Sequence, residues 1–175
     1  MVAARTHEPL GRTLGAGRRS RSDSEVRDQT AIEPQVTAAL LEAGADVRAR
    51  AGFERTPLHM AALGGQPETL THLLEAGAEV DATDTLGFTP LHYAALRGNA
   101  GAAAVLLEHG ADPESRAECE YVPLHTAAER GHTEFCRMLL RAGVDPQRRT
   151  KDGRTPVELA HGRGHAETER LLREG

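Results

Sequence analysis

The sequence predicts an all-α solenoid, built of stacked helix-turn-helix units joined by hairpin-like fingers. Two observations carry this. Pro57, Pro90, Pro123 and Pro156 stand 33 residues apart, and each heads a near-copy of one phrase. The phrases are Thr56-Pro57-Leu58-His59, Thr89-Pro90-Leu91-His92, Val122-Pro123-Leu124-His125 and Thr155-Pro156-Val157-Glu158. Further landmarks then recur in the same register. Gly65, Gly98, Gly131 and Gly164 fall eight residues after their prolines, and Gly77, Gly110 and Gly143 twenty after, with Gly44 one unit earlier. A fixed period of this length marks a stacked-repeat architecture, which presents a surface for binding rather than a pocket for catalysis.

Within a unit each element has a local reason. Thr before Pro starts the first helix: the hydroxyl can cap a free backbone N–H, and Pro at the first helical position loses no bond. The Ala pairs (Ala61-Ala62, Ala94-Ala95, Ala127-Ala128) keep that helix thin. Gly65, Gly98, Gly131 and Gly164 end it, where a left-handed backbone costs Gly little. Pro34 and Pro67 then sit at the start of the second helix. Leu40-Leu41, Leu73-Leu74, Leu106-Leu107 and Leu139-Leu140, with Leu172 last, are expected to bury its far end before Gly44, Gly77, Gly110 and Gly143 stop it. Twelve residues separate each stopping glycine from the next proline, too long for structureless chain, so a finger is expected there.

These phrases resemble the ankyrin-repeat family, over about residues 33 to 175. Thr-Pro-Leu-His, the Ala pair, Gly-His (Gly131-His132, Gly164-His165), the Leu pair and Gly-Ala-Asp (Gly44-Ala45-Asp46, Gly110-Ala111-Asp112) occur in the family's order. The expected organisation is a disordered Arg-rich tail over 1–22 and a repeat domain over 23–175. That domain divides into an N-terminal cap (23–51), three central repeats (52–147) and a C-terminal cap (148–175). At the last unit Glu158 replaces His and Arg173 replaces the second Leu, charges suited to a terminal face in water.

Composition narrows the function. The net charge of −5 is uneven: residues 1–22 hold five Arg and one acid, so the rest carries about −9. That argues against the array as a nucleic-acid surface. No apolar run suggests a signal peptide or a membrane span, so a soluble cytoplasmic or otherwise intracellular protein, monomeric on its own, is expected. Cys136 falls at a second-helix core position and Cys119 on a finger, a placement that argues against a disulfide between them.

The tempting chemistry dissolves on inspection. In the family, histidines at the positions of His59, His92 and His125 make structural hydrogen bonds, with the threonine hydroxyl among their partners; Val122 removes that hydroxyl from His125. His132 and His165 also match the family pattern. His161 and His165 are four apart, but a turn between them breaks the spacing a metal pair needs. Gly162-Arg163-Gly164 lacks the strand and glycines of a nucleotide loop. No catalytic residue, cofactor or metal is expected, and the chain reads as no enzyme.

The resemblance implies that a partner binds the concave side, formed by fingers and first helices. Four and two residues before each proline stand Phe53 and Arg55, Leu86 and Phe88, Cys119 and Tyr121, Asp152 and Arg154. Three, six and seven residues after it stand Met60 and Leu63; Tyr93, Leu96 and Arg97; Thr126, Glu129 and Arg130; and Arg163. Four of the chain's five aromatics (Phe53, Phe88, Tyr93, Tyr121) land here, leaving Phe135 for the core. Aromatics beside Met, Leu and Arg have the composition of a binding hot spot, with finger-on-finger packing as the rival reading. The expected partner-binding set is Phe53, Arg55, Met60, Leu63, Leu86, Phe88, Tyr93, Leu96, Arg97, Tyr121, Glu129 and Arg130. The expected function is a protein–protein interaction scaffold or regulator. The alternative is a regulatory subunit touching nucleic acid or an anionic surface through the tail and the fourth finger (Arg148, Arg149, Lys151, Arg154). Glu54 and Glu120 replace the turn glycine of Gly87 and Gly153, and these two turns are expected to be reshaped.

Overall fold

The computed structural model describes residues 34–174; the expected tail (1–22) and the first part of the N-terminal cap (23–33) lie outside the described residues. Nine α-helices follow in the described part: α1 (Pro34–Glu42), α2 (Pro57–Gly64), α3 (Pro67–Glu75), α4 (Pro90–Arg97), α5 (Ala100–Glu108), α6 (Pro123–Arg130), α7 (Thr133–Arg141), α8 (Pro156–Gly162) and α9 (Ala166–Glu174). They form two layers. First helices α2, α4, α6 and α8 pack side by side, and second helices α1, α3, α5, α7 and α9 pack behind them. Among the described residues there is no strand, only an isolated bridge between Ala51 and Arg55 in the first finger.

The core runs between the layers. Leu58, Leu91 and Leu124 from the first helices meet Leu70, Leu73, Leu106, Phe135, Leu139 and Leu172 from the second, with the Ala pairs and Cys136 filling the gaps. The prediction for the Leu pairs holds for Leu73, Leu106, Leu139 and Leu172, which are buried, and fails for Leu40, which is exposed. Leu40 belongs to the first described helix, with no described helix packed on its outer side. Arg173 is exposed, as expected of the last unit, and pairs with Glu169 of its own helix.

The helix starts differ from the simple cap expected. In the first two complete units the threonine hydroxyl meets a histidine ring instead of a backbone N–H: Thr56 Oγ1 lies 2.8 Å from His59 Nδ1, and Thr89 Oγ1 2.9 Å from His92 Nδ1. The same ring nitrogen accepts the backbone N–H of Thr56, Thr89 or Val122 at 3.1–3.2 Å. The other nitrogen reaches forward. Nε2 of His59, His92 and His125 donates to the carbonyls of Phe88, Tyr121 and Arg148 at 3.0, 3.1 and 3.0 Å, in the next finger each time. The proton therefore sits on Nε2, and Nδ1 is the acceptor. Val122 removes only the hydroxyl contact; His125 keeps both others.

Glu158 is now intelligible. The last unit has no following finger in the described chain for an Nε2–H to bond, so only the inward half of the job remains. A carboxylate performs it: Glu158 Oε2 accepts Thr155 N–H at 2.8 Å, and Thr155 Oγ1 accepts Glu158 N–H at 3.4 Å. This is a true capping box. The backbone bond holds the Glu158 carboxyl below its usual range.

The helix ends are tied in the opposite direction. The side chain after Gly98, Gly131 and Gly164 reaches back to close the first helix of the unit before. Asn99 Nδ2 donates to Ala62 O and Leu63 O at 3.0 and 2.9 Å, His132 Nε2 to Leu96 O at 3.3 Å and His165 Nε2 to Glu129 O at 3.1 Å. These carbonyls belong to the last turn of a helix, whose acceptors have no partner further along the helix; Ala62 O also takes the Gly65 N–H at 3.3 Å. The seat for that side chain is the glycine: a Cβ on Gly98 or Gly131 would lie 2.6 or 2.5 Å from the incoming imidazole. Glycine is required there for space as well as for its positive φ.

Candidate partner-binding face

Four fingers join the units and bond edge to edge. Thr85 N–H donates to Phe53 O at 3.0 Å, Glu118 N–H to Leu86 O at 2.8 Å and Lys151 N–H to Cys119 O at 2.8 Å. The tips are therefore one connected rail beside the first helices. Their turns are of two kinds. In the second finger Asp84 accepts Leu86 N–H and Phe88 N–H on Oδ1 at 2.8 and 2.9 Å, and Gly87 supplies a φ of 76°. In the fourth, Thr150 Oγ1 accepts Arg154 N–H at 3.1 Å and Gly153 has a φ of 83°.

The first and third fingers place Ala51 and Ala117 where Asp84 and Thr150 stand, and Glu54 and Glu120 in place of the glycines. The expected reshaping is real: the glutamates still turn left-handed (φ 59° and 62°), and the residues before them, Phe53 and Cys119, turn with them (φ 60° and 61°). Each left-handed non-glycine costs about 1–2 kcal/mol. The third tip closes through Tyr121 N–H to Glu118 O at 3.4 Å, over the left-handed pair Cys119 and Glu120.

Asp84 is the residue sequence reasoning missed. It is buried, and its second oxygen accepts the Tyr93 hydroxyl at 2.8 Å, tying finger to helix. Burial, followed by that bond to a carboxylate, pushes the Tyr93 phenol up to about 12. The available signal was internal: a polar residue six before proline accompanies Gly three before proline, and Ala accompanies Glu.

The predicted partner-binding residues divide by exposure. Phe53 is 70% exposed, Leu86 47% and Met60 41%, and together with Leu40 at 51% they are the large apolar side chains most open to solvent among the described residues. Arg97 and Arg130 are exposed; Arg55, Leu63, Leu96 and Glu129 are half-buried. Phe88, Tyr93 and Tyr121 are half-buried too, and their rings are held. Phe88 stands edge-on to His92 at 5.1 Å and Tyr93 edge-on to His59 at 5.2 Å, while Tyr121 tilts against His125 at 5.5 Å. Finger-to-helix packing thus occupies much of these three rings. Phe53 differs: only the Arg55 guanidinium lies over it, 5.6 Å from the ring centre. Met60 and Leu40 also line a groove of about 170 Å³ between α1 and α2.

The charged residues of the face are mostly engaged at its C-terminal half. Arg163 bonds Glu129, and Arg154 bonds Asp152 at 2.6 Å. In the fourth finger Arg148 pairs with Glu114, and Arg149 donates to Gly153 O at 2.6 Å. The Thr150 hydroxyl, then Arg154, hold the Asp152 carboxyl below its usual range. Cys119 is exposed and Cys136 buried, both as free thiols. Burial pushes the Cys136 thiol up to about 12, which leaves it an inert core group. His161 turns to Glu169 at 3.0 Å while His165 caps the helix of the preceding unit. Among the described residues no group of acids, His and Cys is gathered that could hold a metal, and no helix is long and apolar enough to cross a membrane.

Two family models match the chain: ankyrin repeats (3 copies) over residues 30–117, and ankyrin repeats (many copies) over residues 106–160. No curated protein matches it.

Proposed function

Because the chain belongs to the ankyrin-repeat family, whose repeats generally mediate protein–protein interaction and are typically not enzymes, we propose that it is a binding module whose finger and first-helix face holds a partner protein. One observation carries the choice of face. Of the four large apolar side chains most open to water among the described residues, Phe53, Met60 and Leu86 fall on it, where nothing in the fold requires them. Exposed apolar side chains gathered on one rigid surface are the usual mark of a recognition site. The fingers hold their positions through the tip-to-tip bonds and the histidine bridges, so little ordering is needed on binding.

The fourth finger does not favour the anionic-surface reading. Three of its four basic side chains already hold an acid or a carbonyl, leaving Lys151.

The test compares the full chain with Phe53→Ala/Met60→Ala/Leu86→Ala as baits in one lysate, followed by titration of each retained protein in purified form. The variant is expected to keep its helical circular dichroism and its melting temperature while affinity falls by at least about tenfold, the scale of one hot-spot residue. A partner bound equally by both proteins would place the site elsewhere.

A further inference from the structure

We propose that the occupant of this face is an acidic segment of another protein, one that carries carboxylates next to large apolar side chains. The inference rests on the reading that the finger face is the binding surface, and adds the partner's chemistry. The chain has a net charge of −5, yet this face has the other sign. Its positions hold five arginines (Arg55, Arg97, Arg130, Arg154, Arg163) against two acids, Glu129 and Asp152. Both acids are already bound, by Arg163 and Arg154. At the finger tips the signs nearly balance, with Glu54, Glu118 and Glu120 against Arg50, Arg116, Arg149 and Lys151.

Arg97 and Arg130 decide the matter. Each is the last residue of its helix, α4 and α6, one unit apart, and each is exposed. Neither makes an ion pair or hydrogen bond to any described residue, whereas Arg163 at the equivalent place in the next unit grips Glu129. Two free guanidinium forks in register suit carboxylates, which they can bind with two parallel bonds each. Phe53, Met60 and Leu86 lie towards the N-terminal end from them. A segment lying along the face would set apolar residues on the first two fingers and carboxylates over α4 and α6.

Single-stranded nucleic acid would also meet arginines beside aromatic rings. The rings disfavour it. Phe88, Tyr93 and Tyr121 are pinned against histidines, and Phe53, the open one, already carries Arg55 over a face. A base needs a free face on which to stack; an apolar side chain needs only an edge.

The experiment selects a random dodecapeptide phage library on the immobilised full chain. Enriched sequences are then synthesised with a fluorescein label and titrated by fluorescence anisotropy. The expected peptides are rich in Asp and Glu beside Phe, Leu or Trp. Their affinity should fall about tenfold for Arg97→Gln/Arg130→Gln, and also with added salt. Both arginines are exposed and unpaired, so that variant should melt with wild type. Peptides that are basic or neutral, yet lose affinity with Phe53→Ala/Met60→Ala, would overturn the acidic partner and leave the face standing. Peptides indifferent to both variants, or no enrichment, would overturn face and partner together. Labelled oligothymidylate binding through Arg97 and Arg130 more tightly than any peptide would replace the protein segment with nucleic acid.

Discussion

The second and fourth fingers turn on an acceptor built into the sequence, whereas the first and third turn without one. Asp84 and Thr150 offer a side-chain oxygen to the N–H groups of their turns, and Gly87 and Gly153 supply the left-handed residue. Ala51 and Ala117 offer nothing, and Phe53-Glu54 and Cys119-Glu120 are bent left-handed instead. The two kinds make the same tip-to-tip contacts with their neighbours, so stacking enforces a finger shape that local sequence alone would not choose. Strain held by surroundings in this way often accompanies recognition. Here it falls at Phe53, the most exposed apolar residue of the proposed site.

The comparison is most easily broken at Asp84. Asp84→Ala would strand the Tyr93 hydroxyl and the Leu86 and Phe88 N–H groups together, in a partly buried setting. A loss of about 2–4 kcal/mol is expected in urea unfolding, given about 1–3 kcal/mol for an unsatisfied buried group. Thr150→Ala strands a single turn N–H, that of Arg154, where Asp84→Ala strands three groups, and should cost about 1 kcal/mol. Equal small losses would mean that the acceptor is incidental and the two finger kinds do not differ in what holds them.

Acid sharpens the contrast from the other side, because the histidine bridge is common to both kinds. Burial lowers the affinity of His59 and His125 for a proton, and drives His92, in the middle of the array, down to about 4. The folded state thus holds these rings neutral while an unfolded chain protonates them near their usual value of about 6.5. Their contribution is complete above that pH and is lost as pH falls from there towards 4, because the unfolded state then binds more protons. Of the order of 3 kcal/mol from His92 alone corresponds to its shift. Unfolding free energy measured across this window should fall steeply in wild type, and less steeply in His92→Gln, though that variant starts less stable. Matching slopes would remove His92 as the acid-sensitive link.

Much of this was legible in the sequence, for a reason peculiar to repeats. With a fixed period, residue i packs against residues near i+33, so helix order, the Ala and Leu core and the turn glycines follow from counting. What counting could not supply was direction. Nothing local to His59 says that its proton points to Phe88, or that Asn99 and His132 reach backwards to close a helix. The half-burial of Phe88, Tyr93 and Tyr121 was hidden too, since a ring at a surface position can still pack edge-on or tilted against a neighbouring histidine. Leu40 failed for the converse reason: its pattern is that of the core, but burial also needs a neighbour on the outer side.

The smallest effect gives the cleanest test of the strain. Glu54→Gly and Glu120→Gly each relieve a left-handed glutamate, worth about 1–2 kcal/mol, and give back part of it because glycine is freer in the unfolded chain. The net expectation is a gain of about 0.5–1 kcal/mol for each. Glu120 also sits in an ion pair with Arg116, both half in water, which offsets only a few tenths of that gain. Glu54 has no such partner among the described residues and should gain more. Neither change touches the face itself, so peptide affinity should stay constant if the strain merely reflects stacking. A weaker affinity in Glu54→Gly with a higher melting temperature would show instead that the bent turn holds Phe53 in its binding position.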